Sequence, residues 1–334
     1  MIDFPLIWAG LITFALLAYV VLDGFDLGVG ILFPYVKGQA ERDQMMNSVA
    51  PVWDGNETWL VLAGGGLFAV FPLAYSIIMP ALYIPIFLML LALVFRGVAF
   101  EFRFKERGKS NFWDIAFAGG STVAAFAQGM VLGGIVEGIA VDGRSYAGGA
   151  WDWFSPFAVL TGLALVAGYG LLGATWLILK TDGAVQAHAR RYAPRLLILV
   201  LAAMVVLSVW TAGLHEYYLQ RWLVWPDRLY TLIVPALILA CAFGLFDGLR
   251  SRRPLKPYLS AVGLFVVSYI GLAMSLFPYL VPPAVTLWDA AAPDKSLQFL
   301  LVGSVVLIPT ILAYTAYSYW VFRGKVGDSH GYHG

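Results

Sequence analysis

Two acidic residues lie at the start of a long apolar stretch of the sequence. Asp54 and Glu57 are three positions apart within Asn47–Trp59, and the apolar residues continue to Phe71. At this spacing the two carboxylates share one face of a helix. A charged side chain costs about 3 kcal/mol or more inside a membrane helix, and such residues typically mark an ion or proton path. The pair is therefore a candidate for moving protons.

Other charged side chains interrupt two neighbouring apolar stretches. Asp23 and Asp26 lie late in the first stretch, and Arg96 and Glu101 lie at the end of the third. Burial favours the protonated form of a carboxylic acid, which lets it take up and release protons near neutral pH. We predict a proton pathway of five carboxylates supported by three other side chains: Asp23, Asp26, Asp54, Glu57 and Glu101, with Trp53, Asn56 and Arg96.

The same residues also have an ordinary structural interpretation. Acidic side chains near a helix N-terminus suit the helix dipole, and a buried arginine can pair with an acid. This interpretation fits Glu101 best, because that residue lies near the predicted headgroup region. Thr58 and Gln128 are further polar candidates for a hydrogen-bonded relay. Glycines beside the acids are predicted to serve close helix packing or a water-filled path: Gly24, Gly28, Gly30 and Gly55.

The helices that position these side chains follow from the composition of the chain. Hydrophobic residues make up 60% of the 334 residues, charged residues make up 12%, and mean hydropathy is +0.79. We predict an all-α polytopic membrane protein with one integral-membrane domain over residues 1–334. About nine apolar runs are long enough to span a bilayer. They cover residues 5–36, 50–71, 75–100, 113–136, 156–180, 194–216, 228–249, 257–279 and 297–322.

Basic residues are distributed very unequally between alternate loops. One set of loops holds 17 of the 21 Lys and Arg residues, and the opposite set holds only Arg144, Arg221, Arg228 and Lys295. Because basic loops stay in the cytoplasm, we predict an N-terminus outside and a C-terminus inside. The charged residues of the first three spans then meet on the cytoplasmic side. Trp- and Tyr-rich outer loops indicate an interfacial aromatic belt, and the polar tail 327–334 is predicted to be disordered.

Several other classes of site are disfavoured. The net charge of +1 gives no basis for nucleic-acid binding, and the single cysteine, Cys241, cannot form a disulfide or a cysteine metal site within the chain. His188, His215, His330 and His333 fall in an inner loop, at an outer helix end or in the tail. We therefore predict no haem ligands and no metal site on this chain. If the chain takes part in redox chemistry, the cofactors belong mostly to a partner.

Five motifs resemble those of subunit II of cytochrome bd-type quinol oxidases. The most specific are DGFDLGVG at Asp23–Gly30 and the stretch from Asn47 to Trp59 that contains WDGN. The others occur at 95–101, 173–181 and 277–291, in the order that the family has. The resemblance covers nearly the whole chain. The chain is somewhat short, as in the cyanide-insensitive branch of the family.

This resemblance implies a terminal respiratory oxidase of the bacterial cytoplasmic (inner) membrane that oxidises quinol and reduces oxygen to water. The family has two b-type haems and one d-type haem, all ligated by subunit I. Subunit II pairs with subunit I through a large membrane interface, and each has two four-helix bundles plus one further helix. The resemblance leaves open a small single-helix accessory subunit and a structural quinone or lipid. The family's proposed proton-path acids correspond to Asp26, Asp54 and Glu101, the last of which is often Asp in the family.

Two other functions remain open from the residues themselves. An independent proton-coupled secondary transporter could use the same acids, and inverted repeats with matched broken helices would favour it. Only weak signs of such repeats occur, at Phe71-Pro72 and Phe277-Pro278. Alternatively, the chain is a purely structural scaffold whose acids form salt bridges and stabilise a haem-bearing partner.

Overall fold

Long apolar helices make up most of the described chain. The structure, a computed structural model, describes residues 2–105, 110–225 and 231–326, so the predicted disordered tail lies outside the described residues. The helices are α1 (Phe4–Leu32), α2 (Gln39–Asn47), α3 (Trp53–Val70), α4 (Pro72–Ala81), α5 (Tyr83–Arg103), α6 (Ser110–Glu137), α7 (Pro156–Lys180), α8 (Gly183–Leu214), α9 (Glu216–Leu223), α10 (Ile233–Arg250), α11 (Leu255–Leu276), α12 (Leu287–Ala290) and α13 (Asp294–Val321). Two short hairpins, β1–β2 (Val141–Asp142, Ser145–Tyr146) and β3–β4 (Tyr279–Val281, Val285–Thr286), are antiparallel.

The number of membrane spans agrees with the prediction. Within the described residues, eight helices are long and apolar enough to cross a membrane, and the bent pair α3–α4 is a ninth if it counts as one span. Capping residues predictable from the sequence mark the beginning of two of these helices, α1 and α7. The Asp3 side chain accepts a hydrogen bond from Leu6 N at 3.0 Å, and Ser155 caps α7, whose first residue is Pro156. The predicted all-α membrane fold is confirmed.

The predicted third span, residues 75–100, is wrong as a single helix. Residues 72–81 form α4, which is bent by 118° from α3, and α5 begins only at Tyr83. The bend has a local cause, because Pro72 has no backbone N–H to continue α3 and the preceding Phe71 takes a non-helical conformation. Hydropathy does not detect this break, since the residues on both sides of it are apolar.

Other helix ends also differ from the prediction. The predicted span 194–216 begins at Gly183, as α8, so its first turns project from the apolar core toward the basic loops. The first span ends as an α-helix at Leu32 and continues as a 3-10 turn, Phe33–Tyr35. The span 228–249 is described from Ile233 as α10, and residues 226–230 lie outside the described residues.

The long helices pack in two groups. α1, α3, α5 and α6 form the first group, and α7, α8, α10 and α11 form the second. The two groups are joined by the contacts that α7 makes with α6 and with α1. α13 lies outside both groups against α1 and α3, and Leu297 is its one buried residue. This arrangement agrees with two four-helix bundles plus a further helix.

Glycines allow α1 and α7 to approach until their backbones touch. A Cβ atom on Gly28 would lie 1.9 Å from the carbonyl oxygen of Tyr169, and one on Gly173 would lie 2.3 Å from the carbonyl carbon of Gly28. Real side-chain atoms cannot come so close. Gly24 and Gly30 are similarly crowded by Tyr169 and Ser121. The predicted packing role is therefore confirmed for Gly24 and Gly28 against α7 and for Gly30 against α6, whereas a Cβ atom on Gly55 would make only an ordinary contact, 3.5 Å from Tyr314.

Candidate functional site

A fully buried arginine forms the centre of a cluster of charges. Arg96, on α5, places Nη1 2.6 Å from Oε1 of Glu57 on α3 and 3.0 Å from Oδ1 of Asp23 on α1. Its Nη2 lies 3.9 Å from Oδ2 of Asp26, one turn further along α1. Asp23 and Asp26 share one face of α1 because they are three residues apart. Three helices thus bring three carboxyl groups to one guanidinium.

Charge and hydrogen bonding are both unbalanced in this cluster. One positive charge faces three carboxyl groups, and Arg96, Asp23 and Asp26 have no solvent-exposed surface. Apart from the ion pairs with Arg96, both carboxyl oxygens of Asp23, Oδ1 of Asp26, and Nε and Nη2 of Arg96 have no partner with hydrogen-bond geometry among the described residues. Buried polar atoms are normally hydrogen-bonded. The cluster therefore retains atoms that can bind protons or further hydrogen-bond partners.

Asn56 connects the cluster to the last helix. Its Nδ2 donates to Oδ2 of Asp26 at 2.7 Å and to the backbone oxygen of Leu22 at 3.2 Å. The hydroxyl of Tyr319, on α13, donates to Oδ1 of Asn56 at 3.0 Å. Asn56, predicted as a supporting residue, thus contacts Asp26 directly. Tyr319 was not predicted, because nothing in the sequence distinguishes it from the exposed Tyr314 and Tyr317 nearby on the same helix.

A second set of hydrogen bonds lies one turn of α1 away from Asp23. Gln128, on α6, donates from Nε2 to the Tyr19 hydroxyl oxygen at 2.5 Å and accepts the Tyr169 hydroxyl at Oε1 at 2.8 Å. Tyr19 and Tyr169 are buried and belong to α1 and α7. Gln128 was expected to extend a relay, whereas the two tyrosines were not predicted. Their sequence surroundings resemble those of any aromatic residue in an apolar helix.

The remaining predicted acids do not join the arginine. Asp54 is exposed one turn before Glu57, and the hydroxyl of Thr58 bonds to the Asp54 backbone oxygen rather than to its carboxylate. Glu101 is 57% exposed and pairs with Lys105 at 3.2 Å. Trp53 stacks on Phe100 with ring centroids 4.9 Å apart, next to the cluster rather than in it. Of the five predicted carboxylates, only Asp23, Asp26 and Glu57 meet.

A separate ion-pair network, which was not predicted, ties the nearby helix ends together. Asp114 on α6 accepts from Arg42 Nη1 at 2.7 Å and from Arg103 Nε at 2.6 Å. Arg103 also donates from Nη1 to Asp43 at 2.6 Å. In the sequence analysis these arginines contributed only to the loop charge count. Each acid here has an arginine partner, so the network fits a structural role for α2, α5 and α6.

Comparisons with known proteins identify the family. The sequence profile described as Cytochrome bd terminal oxidase subunit II matches residues 4–322. The chain belongs to this family. It is 30% identical to Cytochrome bd-I ubiquinol oxidase subunit 2 of Escherichia coli strain K12, covering 98% of this chain and 97% of the relative. It is 28% identical to Cytochrome bd ubiquinol oxidase subunit 2 of Bacillus subtilis, with 96% of each covered. The fold is similar to a chain of the bd oxidase of Geobacillus thermodenitrificans, with a TM-score of 0.78, 17% identity, and 96% and 98% of the two chains covered.

Family membership confirms the resemblance found in the sequence. The chain is a multi-pass subunit II of a bacterial respiratory oxidoreductase, located in the inner membrane. The motif residues Asp23, Asp26 and Arg96 are the same residues that the fold brings into contact. The motifs by which the sequence resembles the family thus include the centre of the charged cluster.

The two histidines in the described part of this subunit II do not fit a bis-histidine haem site. A ring nitrogen of His188 lies 2.8 Å from the backbone oxygen of Ala184, and one of His215 lies 2.7 Å from that of Glu137. The two histidines flank opposite ends of α8, so they cannot face one macrocycle. His330 and His333 lie outside the described residues. No group of three or more His, Cys, Asp or Glu residues in the described chain could hold a metal ion.

Proposed function

We propose that this chain binds no haem itself and supplies protons from the cytoplasm to a haem site on subunit I of a quinol oxidase. The names of the Escherichia coli and Bacillus subtilis relatives give ubiquinol as the substrate of their complexes. We accordingly assign quinol oxidation, two b-type haems and one d-type haem to subunit I. The N-terminus then lies outside and the basic loops lie in the cytoplasm.

The observation that carries this proposal is the buried excess of carboxyl groups around Arg96. A single guanidinium can neutralise one carboxylate, and Asp23, Asp26 and Glu57 all surround it. Unpaired charge is strongly disfavoured away from water, so the cluster must balance its charge with protons. The number of protons it holds can change while its side chains stay in contact. A group with these properties can store and pass on protons.

Exposure suggests the direction of proton entry. The Glu57 side chain is 24% exposed, whereas Asp23 and Asp26 are fully buried, so Glu57 is the outermost member of the cluster. Asp54 is exposed on the preceding turn of α3. We assign Asp54 and Glu101 to proton collection at the surface, Glu57 to entry, and Asp23 and Asp26 to storage. Asn56 holds Asp26 in position, and Trp53 packs beside the entrance.

A structural role for the same cluster is the second candidate. Arg96 bridges α1, α3 and α5, and removing one partner of a buried ion pair strongly destabilises a protein. On this hypothesis the acids hold the scaffold for a haem-bearing partner. The described helices include one broken span, at Phe71-Pro72, whereas α11 simply ends at Leu276, so they lack the matched pair of broken helices that would favour the independent transporter.

The Glu57→Gln variant separates the two candidates. Glutamine keeps the shape and the Oε1 acceptor for Arg96, but it cannot exchange a proton at neutral pH. Coexpressed with subunit I, this variant is expected to lower quinol-driven oxygen reduction about tenfold or more, because proton transfer limits the rate. The visible spectra of the b- and d-type haems should be unchanged. Oxygen consumption and absorbance of the same purified complex provide the two measurements.

Asp182→Asn is the matched control. Asp182 is a 66% exposed acid at the same end of the molecule, and its pair with Lys325 at 2.5 Å is a surface salt bridge. The complex with Asp182→Asn should reduce oxygen at the same rate as the unmodified complex. A Glu57→Gln complex with normal haem content and a normal rate would refute the proton path. Loss of the complex itself would favour the scaffold.

A further inference from the structure

A groove between α10 and α11 lies outside the charged cluster. It has a volume of about 560 Å³, within the range of small-molecule sites, and it is open along one side. Leu237, Leu255 and Leu259 give it apolar walls that are about half exposed. Arg253 and Lys256 border it at the turn between the helices. Both helices are membrane-spanning by length and hydropathy, so the groove lies along the membrane-spanning part of the chain.

The packing of the two helices explains why the groove is narrow at its base. Gly248 contacts Pro257, where a Cβ atom would lie 2.7 Å from the proline ring, and Gly244 contacts Ser260 in the same way at 2.8 Å. Small residues therefore hold α10 and α11 in close contact on one side. On the other side Leu237, Leu255 and Leu259 line the open groove.

Positive charge is concentrated where the groove meets the turn. Lys256 pairs with Asp247 at 2.5 Å, and the exposed side chain of Arg253 makes no hydrogen bond or ion pair within 4 Å with the described residues. Arg250 and Arg252 are exposed on the same turn. Arg190 of α8 reaches this turn through Nη2, which lies 3.5 Å from the backbone oxygen of Arg252. Five basic side chains thus lie at or beside this turn, where Lys256 pairs with the carboxylate of Asp247.

The backbone of the turn adds to this argument. Arg252 has φ +55°, and the N–H of Arg253 donates to the backbone oxygen of Gly248 at 3.2 Å. This is the hydrogen bond of a Schellman helix end, in which glycine is the least strained residue at the left-handed position. In this chain Arg252 occupies the left-handed position instead of glycine. In addition, Nη1 of Arg190 is buried without a hydrogen-bond partner among the described residues.

We propose that this groove binds an anionic glycerophospholipid of the cytoplasmic leaflet. Its acyl chain lies along Leu237, Leu255 and Leu259, and its phosphate is bound by Arg253 and Lys256. Basic pockets between membrane helices on the cytoplasmic side recognise anionic headgroups in this way. A zwitterionic lipid offers the same chain but no net charge, so the groove selects for anionic lipid. The proposal uses the orientation predicted from the loops and does not depend on the proton path.

Native mass spectrometry of the complete oxidase complex tests this site. The complex is delipidated in detergent, titrated with phosphatidylglycerol or phosphatidylethanolamine, and analysed for bound lipid. The unmodified complex should retain phosphatidylglycerol at least tenfold more tightly than phosphatidylethanolamine. Arg253→Ala with Lys256→Ala should lose this preference, and Ala240→Trp should weaken binding of both lipids by filling the groove without changing the charge. Inorganic phosphate should not displace the lipid, because it lacks the acyl chain.

A charge-matched control is Lys37→Ala with Arg191→Ala, which removes two exposed basic residues at the same end but outside the groove. This pair should keep the preference for phosphatidylglycerol. If both double variants lost the preference for phosphatidylglycerol equally, general surface charge would bind the lipid, and the proposal would be overturned. Equal affinity of the unmodified complex for the two lipids, or displacement by phosphate, would also overturn it. Because the measurement is bound lipid, its failure leaves the proton-path proposal untouched.

Discussion

Arg96 determines the electrostatics of the candidate site more than any of the acids does. It is the one cation within 4 Å of Asp23, Asp26 and Glu57 in the described chain. Each of these acids is separated from Arg96 by at least 39 positions in the sequence. The free energy of the cluster therefore depends on contacts between helices rather than on neighbours along the chain.

Arg96→Gln should disrupt assembly of the complex. Removing the guanidinium leaves three carboxyl groups without their cation, and breaking a buried pair typically costs about 3–5 kcal/mol. We expect a much lower yield of haem-containing complex, measured by its visible absorbance after purification. Adding Asp23→Asn to this variant should restore part of the yield, because it removes one uncompensated acid. A single variant that assembles normally would show that the acids are neutralised in another way.

At the scale of helices, the crossing of α1 and α7 holds the two bundles in register. α1 carries Asp23 and Asp26, and its close approach to α7 relies on Gly28 and Gly173. Tyr169, one turn before Gly173, contributes both to the crowded crossing and to the hydrogen bond with Gln128. The position of the acids on α1 is thus coupled to backbone packing.

Gly28→Ala should lower the thermal stability of the complex. Its new methyl group would lie 1.9 Å from a backbone oxygen, so the helices must separate, and overpacking of this kind costs about 1–3 kcal/mol or more. The temperature at which the haem spectrum is lost measures the effect. Gly119→Ala in α6 is the control, because nothing lies within 4 Å of its new Cβ atom and alanine is the better helix former by about 1 kcal/mol. Equal melting temperatures for the two variants would contradict this account.

On the scale of the whole molecule, one face is apolar and close to the charged cluster. Val61 on α3 and Val302 on α13 are each 73% exposed, and Glu57 reaches the surface of α3 on the same helix as Val61. A short path from the buried acids to a haem on subunit I requires subunit I to lie beside the helices that surround the cluster. We therefore infer that α3, α5 and α13 form the face that binds subunit I.

Cysteine labelling can test this orientation. In a Cys241→Ser background, Val61→Cys is expected to react with a maleimide in the isolated chain and to be protected at least tenfold in the complex. Leu239→Cys on α10, at 66% exposure, is the control and should react equally in both. Mass spectrometry of the labelled chain gives both rates. Unchanged reactivity of the α3 position would place subunit I on another face.

Much of the fold could be predicted from the sequence. Apolar runs of membrane-spanning length are a local property, so the helices and the family motifs were recognised, and α7 was predicted with its observed ends, Pro156 and Lys180. The break at Phe71-Pro72 was missed because hydropathy averages over the residues on both sides of it. The early start of α8 was missed because its first turns are polar.

The candidate site, too, could be predicted only in part from the sequence. The sequence alone determined that this is a membrane protein of a known oxidase family, and that acids and an arginine interrupt its first three long apolar stretches. Residue types and spacing along one helix suffice for that. Only the tertiary structure decided that Asp23, Asp26 and Glu57 meet Arg96, while Asp54 and Glu101 remain at the surface. The rotation of each helix decides which of its side chains face inward. Glycine contacts and side-chain packing between distant segments of the chain determine that rotation.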